Sequence, residues 1–326
     1  MKEQIMRLTE FPAPAGSEGK LAQYLLSLVE AAADETYVDT LGNAIAKRAG
    51  QGPQVLLTAH MDEPGVVVMH IDENGFLRFV IAGALTPNQL VGRQVLFTNG
   101  TRGVIQAEDT KDALTVEKLF IDVGADSEAA AKERSYIGLA GIVPDGINAL
   151  SDDLLTGRAL DNRVGCAIAV ETFKQVAAAG RAITLAFTAQ ETVGSRGGRT
   201  VAHQIQPDWA LVIDGVAAGD APGAKRMEVK LGKGPAVKIM DKTAIVPLAI
   251  KNHLVNTANK EGIDIQYEVW PEGTSDMGAI QLSTSGVATG GISYPVRYAE
   301  STSPTVHLQD IENCVKLAVK AIVAKS

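Results

Sequence analysis

Apolar positions along this chain follow two different rhythms. Between Ser17 and Ala33, Leu21, Tyr24, Leu25, Leu28, Val29 and Ala32 recur at three- and four-residue spacing. That spacing predicts a helix with one buried face, capped by Ser17. Short apolar runs at 37–39, 44–47 and 55–59 predict strands, the first two joined by a turn at Gly42-Asn43. After Gly65 come closely spaced strand patterns at 66–71, 76–81, 94–98, 103–107, 119–123 and 139–143, with one helical pattern at 127–134. Asn99-Gly100 between two of them is a strong hairpin signal, and the spacing predicts a small β-barrel or sandwich. From Thr156 onward, helical patterns at 164–178, 195–205, 246–260, 277–282 and 311–324 alternate with strand patterns at 183–188, 209–213, 264–269 and 287–292.

That alternation predicts an α/β fold: a mixed, mostly parallel sheet sandwiched by helices and interrupted by the β-barrel-like segment. Residues 1–65 and 151–326 are expected to form one domain, and residues 66–150 the insertion. Composition adds limits. With 326 residues, 46% of them hydrophobic and 21% charged, the chain can build a sizeable core. A net charge of −8 with no basic run argues against nucleic acid or an anionic membrane as partner. No apolar run reaches membrane-spanning length, and Met1-Lys2-Glu3 opens an amphipathic segment rather than a signal peptide. Two cysteines, Cys166 and Cys314, make no disulfide framework, so a reducing, cytoplasmic setting is expected.

Chemistry concentrates at strand ends. The run at 55–59 stops in His60-Met61-Asp62-Glu63, and Pro64-Gly65 breaks it. Parallel sheets place functional groups just past the carboxyl ends of their strands. His60 and Asp62 are two apart on extended chain, so their side chains share a face. A histidine beside a carboxylate suits a metal ligand and the acid that orients it. Taken alone, such an end reads as solvated polar residues. Three further junctions carry Asp161, Glu191 and Asp214. Converged on one rim, these groups would supply nitrogen and oxygen ligands to a zinc-like ion and leave a carboxylate spare as base. His70, His203 and His253 have no motif around them, Cys166 reads as packing, Gly232 and Gly234 as loop formers, and Asp276 as a helix cap.

The segments AHMDEPG at 59–65, GRALDNRVG at 157–165, QETVGSRGG at 190–198, DGVAAGDAPG at 214–223, LGKGPAV at 231–237 and EGTSDMGAI at 272–280 run in order across nearly the whole chain. Through them the chain resembles the tetrahedral (glutamyl) aminopeptidase family of two-metal exopeptidases. The resemblance implies a zinc-peptidase-like catalytic domain and a β-rich insertion serving assembly or access. It implies His60, Asp161 and Asp214 as metal ligands, Asp161 bridging two ions, and Asp62 orienting His60. Glu191 becomes the general base that takes a proton from the attacking water and passes it to the leaving amine, and the Asp161–Asn162 peptide is expected to be cis. One or two divalent ions per chain are expected, zinc first, with cobalt or manganese as alternatives. Short peptides are the expected substrates, and homo-oligomers, as dimers or a tetrahedral dodecamer, the expected assembly.

Two positions depart from the family pattern, and both touch the second ion. Thr192 stands where a second glutamate is usual, and Glu300 stands where the family has a histidine. A neutral hydroxyl is a poor zinc ligand, whereas Glu300 can still ligate from the other side. The second ion is therefore expected to be weak or absent. A catalytically silent peptide-binding scaffold is the alternative, and a deacylase or glycosidase a weaker one.

Overall fold

The computed structural model describes residues 1–109, 113–224 and 226–324. Its main sheet begins with β1 (Glu35–Val38), β2 (Ala44–Arg48) and β3 (Gln51–His60). The chain then leaves this sheet at once. Strands β4 (Gly65–Ile71), β5 (Leu77–Ala82), β6 (Gln94–Phe97), β7 (Arg102–Ala107), β8 (Leu119–Asp122) and β9 (Ala140–Ile142) close a barrel in the order β4-β5-β8-β7-β6-β9. The barrel has its own core, built from Val66, Val68, Leu77, Phe79, Val95, Phe97, Ile105 and Ile121. Gly65 is required at its entry, because a Cβ there would lie 2.4 Å from the Gly141 carbonyl oxygen. Such an approach is open only to glycine.

Past the barrel, β10 (Asn148–Ala149) and β11 (Leu154–Thr156) form a small sheet with a strand near the carboxyl end of the chain. The main sheet resumes with β12 (Arg181–Thr188), β13 (Trp209–Ala217), β14 (Ala236–Asp241), β15 (Gln266–Trp270) and β16 (Thr289–Val296), and β17 (Thr305–His307) completes the small sheet. The eight-stranded order is β1-β2-β12-β3-β13-β16-β14-β15. The pairs β12–β3, β3–β13, β13–β16 and β14–β15 are parallel, whereas β1–β2, β2–β12 and β16–β14 are antiparallel. Strands before and after the barrel thus share one sheet, as their apolar patterns predict. Helices Gly19–Val29, Leu160–Ala178 and Leu308–Ala324 contribute Leu21, Leu25, Ile168, Phe173, Leu317 and Ile322 to its core.

Three expectations change. Ser17 does not cap the first long helix; Glu18 holds that position with no side-chain cap bond. Its carboxylate turns inward instead and accepts from the backbone N–H groups of Gly16 and Gln190. Asp276 does not cap its helix either, since Ser275 caps it and Asp276 is buried just inside. Strand β14 has no counterpart in the apolar pattern because Lys238 sits in its middle. That lysine is fully buried against Glu268 (2.8 Å) and Asp241 (3.4 Å), so a strand interior reads as polar.

The turn after β3 is tied down by a buried acid. Glu63 is paired with Arg158 and, at 2.9 Å, with Arg163, and it accepts from Ala13 N–H. Burial opposes ionisation of Glu63, but the two guanidiniums hold its carboxyl below the usual range. Arg163 is buried too, and it also donates to the Met61 and Phe11 carbonyls. Breaking a buried pair from one side typically costs about 3–5 kcal/mol. Arg163→Met is therefore expected to lower the melting temperature by several degrees. The depressed carboxyl contributes stability that is complete above the unfolded-state value of about 4.3 and fades as pH falls through the folded one. The variant should then unfold in acid at a higher pH than the parent, as circular dichroism across a pH series would show.

Candidate active site

Sheet register brings the strand-end residues to one height. On β12, Thr188 pairs with His60, and Glu191 follows three residues later. On β13, Val212 pairs with Thr58, which sets Asp214 level with His60 two residues on. Asp161 arrives at the start of the helix Leu160–Ala178. The backbone at Asp161 and Asn162 is non-helical, and the peptide between them is cis. Asn162 Nδ2 donates to the Ile213 carbonyl (3.0 Å), and its Oδ1 accepts from the Tyr294 hydroxyl (2.9 Å). Asn162 thereby pins the junction beside Asp214, and Gly165 keeps it there: a Cβ at Gly165 would sit 1.9 Å from Asn162 Oδ1.

The two nitrogens of His60 face different partners. Nδ1 lies 3.2 Å from the Asp62 backbone oxygen and 3.5 Å from Asp62 Oδ1. Nε2 lies 3.5 Å from Asp161 Oδ1, 3.6 Å from Asp214 Oδ1 and 4.0 Å from Glu191 Oε2. One ligand atom each from His60, Asp161 and Asp214 falls within 4.8 Å of the others. Asp161 Oδ1 is buried and has no hydrogen-bond donor. A nitrogen and two carboxylate oxygens at this spacing, one of them otherwise unsatisfied, fit a zinc-like divalent ion.

Electrostatics point the same way. Burial alone would lower the His60 imidazole, but Asp161, Asp214 and Asp62 around it raise it well above its ordinary value. Burial pushes Glu191 up to about 8, helped by the Asp214 carboxylate and opposed by His60. Asp214 is raised by burial. Asp62 is the exception: burial opposes its charge, yet His60, Thr192 and the Glu191 N–H hold its carboxyl below the usual range.

Side chains from three separate regions suspend the loop that carries Glu191. Asn43 Oδ1 accepts from Ala189 N–H (2.9 Å), and Glu18 Oε1 accepts from Gln190 N–H (3.0 Å). Asp62 Oδ1 accepts from Glu191 N–H (2.9 Å) and Asp62 Oδ2 from Thr192 N–H (3.0 Å). Above the cluster opens a cavity of about 150 Å3 lined by His60, Asp161, Glu191, Asp214, Trp270 and Glu300, with Leu85 and Val143 from the barrel side.

With this geometry in view, the sequence comparison is decisive: the profile of the M42 glutamyl aminopeptidase family matches residues 42–317. The chain belongs to that family. It is accordingly a metal-dependent aminopeptidase, a hydrolase of peptide bonds, and a silent scaffold is not favoured. A relative from Acetivibrio thermocellus is 38% identical over 99% of this chain and 98% of its own. The structure of aminopeptidase APDkam598 from Desulfurococcus kamchatkensis superposes with a TM-score of 0.93 at 33% identity, covering 99% of this chain and 94% of that one. A Pyrococcus horikoshii TET1 peptidase, described as assembling into a tetrahedron or a large octahedral shell, matches with a TM-score of 0.90 at 30% identity over 98% of each chain.

Within this M42 site, the two departures from the family pattern land in different places. Thr192 Oγ1 donates to Asp62 Oδ2 at 2.7 Å, so its hydroxyl braces the acid behind His60. Glu300 lines the cavity, but its carboxylate is not among the atoms clustered with His60, Asp161 and Asp214. Its backbone oxygen accepts from Gln89 on the barrel side (3.0 Å). Glu18 and Asn43 escaped the sequence reading; an acid next to a mis-assigned helix cap was the one available signal. His253 is structural: its Nε2 meets the Ala321 carbonyl, and its ring stands edge-on to Trp209.

An ion held by His60 should be sensitive to Asp62 behind it. Asp62→Asn leaves one oxygen acceptor but turns the other position into a donor facing Thr192 N–H. Groups behind a metal-bound histidine typically cost about 10–100-fold in affinity when altered. A shift of that size in a chelator competition titration is the expected result.

Proposed function

We propose that this M42 aminopeptidase removes N-terminal residues from short peptides with one tightly held divalent ion per chain. His60, Asp161 and Asp214 would hold it, Asp62 would orient His60, and Glu191 would serve as general base. The observation that carries the reading is the surround of His60 Nε2: two carboxylate oxygens at 3.5 and 3.6 Å, with Glu191 Oε2 standing off at 4.0 Å. The donor set favours zinc, with cobalt or manganese as alternatives. Such an ion, when bound, supplies Lewis-acid polarisation and a hydroxide-like nucleophile near neutral pH. Glu191 would then accept the proton of the attacking water and return it to the departing amine, a role that suits a carboxylate standing 4.0 Å from His60 Nε2.

The second ion position is weak or empty in this reading. Thr192 directs its hydroxyl proton to Asp62, which supports that view, and Glu300 contributes charge without joining the cluster. Residues 1–65 and 151–326 would be the catalytic domain, and residues 66–150 an insertion that walls the cavity and serves assembly. The chain would form homo-oligomers, dimers or a tetrahedral dodecamer, and the tetrahedral or octahedral shell of the TET1 relative supports assembly. A cytoplasmic setting fits the two buried free cysteines. No helix among the described residues is long and apolar enough to cross a membrane.

The cavity also sets a preference. Among the described residues its lining holds one guanidinium, Arg158, already paired with Glu63, against the carboxylates of Asp161, Glu191, Asp214 and Glu300. Peptides with neutral N-terminal residues should be cleaved faster than those starting with Glu or Asp, as initial rates on an aminoacyl chromogenic panel would show. Glu191→Gln should lower kcat by about 100-fold or more while ion content stays at one per chain by elemental analysis. Unchanged turnover removes Glu191 from the mechanism, and two tightly held ions per chain refute the single-ion reading.

A further inference from the structure

The two carboxylate oxygens of Glu191 do not share one environment. Oε2 faces His60 Nε2 at 4.0 Å, whereas Oε1 lies 3.1 Å from the Ser195 hydroxyl. The local backbone creates that second contact. Gly194 and Ser195 both have positive φ, at 119° and 50°, and both donate their N–H groups to the Glu191 carbonyl, at 2.8 and 2.9 Å. The chain curls back, and the side chain of residue 195 returns over that of residue 191. Ser195 Oγ also lies 3.2 Å from the Ser275 carbonyl. One hydroxyl proton serves one acceptor at a time, and a general base ready to take a proton is an ionised carboxylate, the stronger acceptor of the two.

We propose that Ser195 is the positioning residue of the general base: its hydroxyl fixes the Glu191 carboxylate so that Oε2 alone faces the reacting water. Resting on the reading of Glu191 as base, the assignment gives the loop a division of labour. Asp62, Glu18 and Asn43 hold its backbone through four successive N–H groups, and Ser195 holds the carboxylate at the end of the Glu191 side chain, which they do not reach. Without the hydroxyl, the carboxylate can swing about its terminal torsion, a broad and nearly two-fold rotor. Ser195 is not among the residues that line the cavity. The consequence falls on kcat and leaves KM alone.

The experiment compares Ser195→Ala, Ser195→Gly and Ser195→Asn in the full-length, ion-loaded enzyme. A hydrogen bond to a charged group accounts for about tenfold in rate. Ala and Gly are therefore expected to lose about tenfold in kcat to the same degree, with KM and ion content at parental values. Glycine tolerates positive φ better than alanine, so a purely conformational role would instead hurt Ala and spare Gly. Asparagine accepts positive φ and can donate from its amide, and it should recover part of the loss. Parental kcat in the Ala variant overturns the proposal, as does a loss carried by KM or by ion content. Glu191→Gln, measured in parallel, separates the two readings: if it keeps turnover, the base assignment fails whatever Ser195 does.

Discussion

One carboxylate couples the two halves of this site. Asp62 sits at zero exposure immediately beyond β3, with one face toward His60 Nδ1 and the other toward the loop after β12. Its oxygens take the N–H groups of Glu191 and Thr192 and the Thr192 hydroxyl. The imidazole and the glutamate come from different strands, yet their separation is set through a single buried side chain. Such a bridge is costly unless every oxygen is satisfied, and here both are. The depressed Asp62 carboxyl reflects that satisfaction. The barrel can branch off five residues after His60 because the turn is fixed from both sides, by Asp62 toward the site and by Glu63 toward Arg158 and Arg163.

The electrostatic pattern around His60 follows from crowding. Asp161, Asp214 and Glu191 converge on one imidazole nitrogen in a mostly buried place, and like charges so close penalise one another. Glu191 and Asp214 rise while His60 climbs to meet them. A dication among these acids would invert those directions, which is why clusters of this kind select cations. The buried Lys238–Glu268–Asp241 group is the opposite case. Its one buried lysine lies between two acids, and the group braces β14 and β15 at the edge of the sheet.

Much of the site was legible in the sequence because parallel strands announce their ends. His60 and Asp214 each follow an apolar run directly and are brought level by sheet register, and Glu191 follows three residues after the end of another such run. Asp161 was legible as a helix junction for the same reason. Glu18, Asn43 and Ser195 were not, since each acts through a backbone N–H or a side-chain oxygen distant in sequence or folded back by a turn. No periodicity records such contacts. Glu18 also misled, because an inward acid at a helix start displaces the serine that local propensity favours. Strand β14 failed for a related reason: a buried ion pair breaks the apolar pattern that marks a strand.

The paired change at positions 192 and 300 makes sense as a transfer of charge. Relative to the family pattern, the site exchanges a glutamate for Thr192 and a histidine for Glu300, so one carboxylate leaves the cavity lining at one position and another enters it at a second. The total negative charge facing a substrate stays the same. What changes is convergence. Thr192 turns its hydroxyl to Asp62, and Glu300 rides on a segment tied to the barrel side by Gln89 and, through Thr302, by Arg93. Chelating a second ion needs donors held within one coordination sphere. Attracting a cationic group needs only the field, which survives relocation of the charge. An aminopeptidase substrate carries a free ammonium, and the carboxylates of Asp161, Glu191, Asp214 and Glu300 along the cavity provide the field that attracts it.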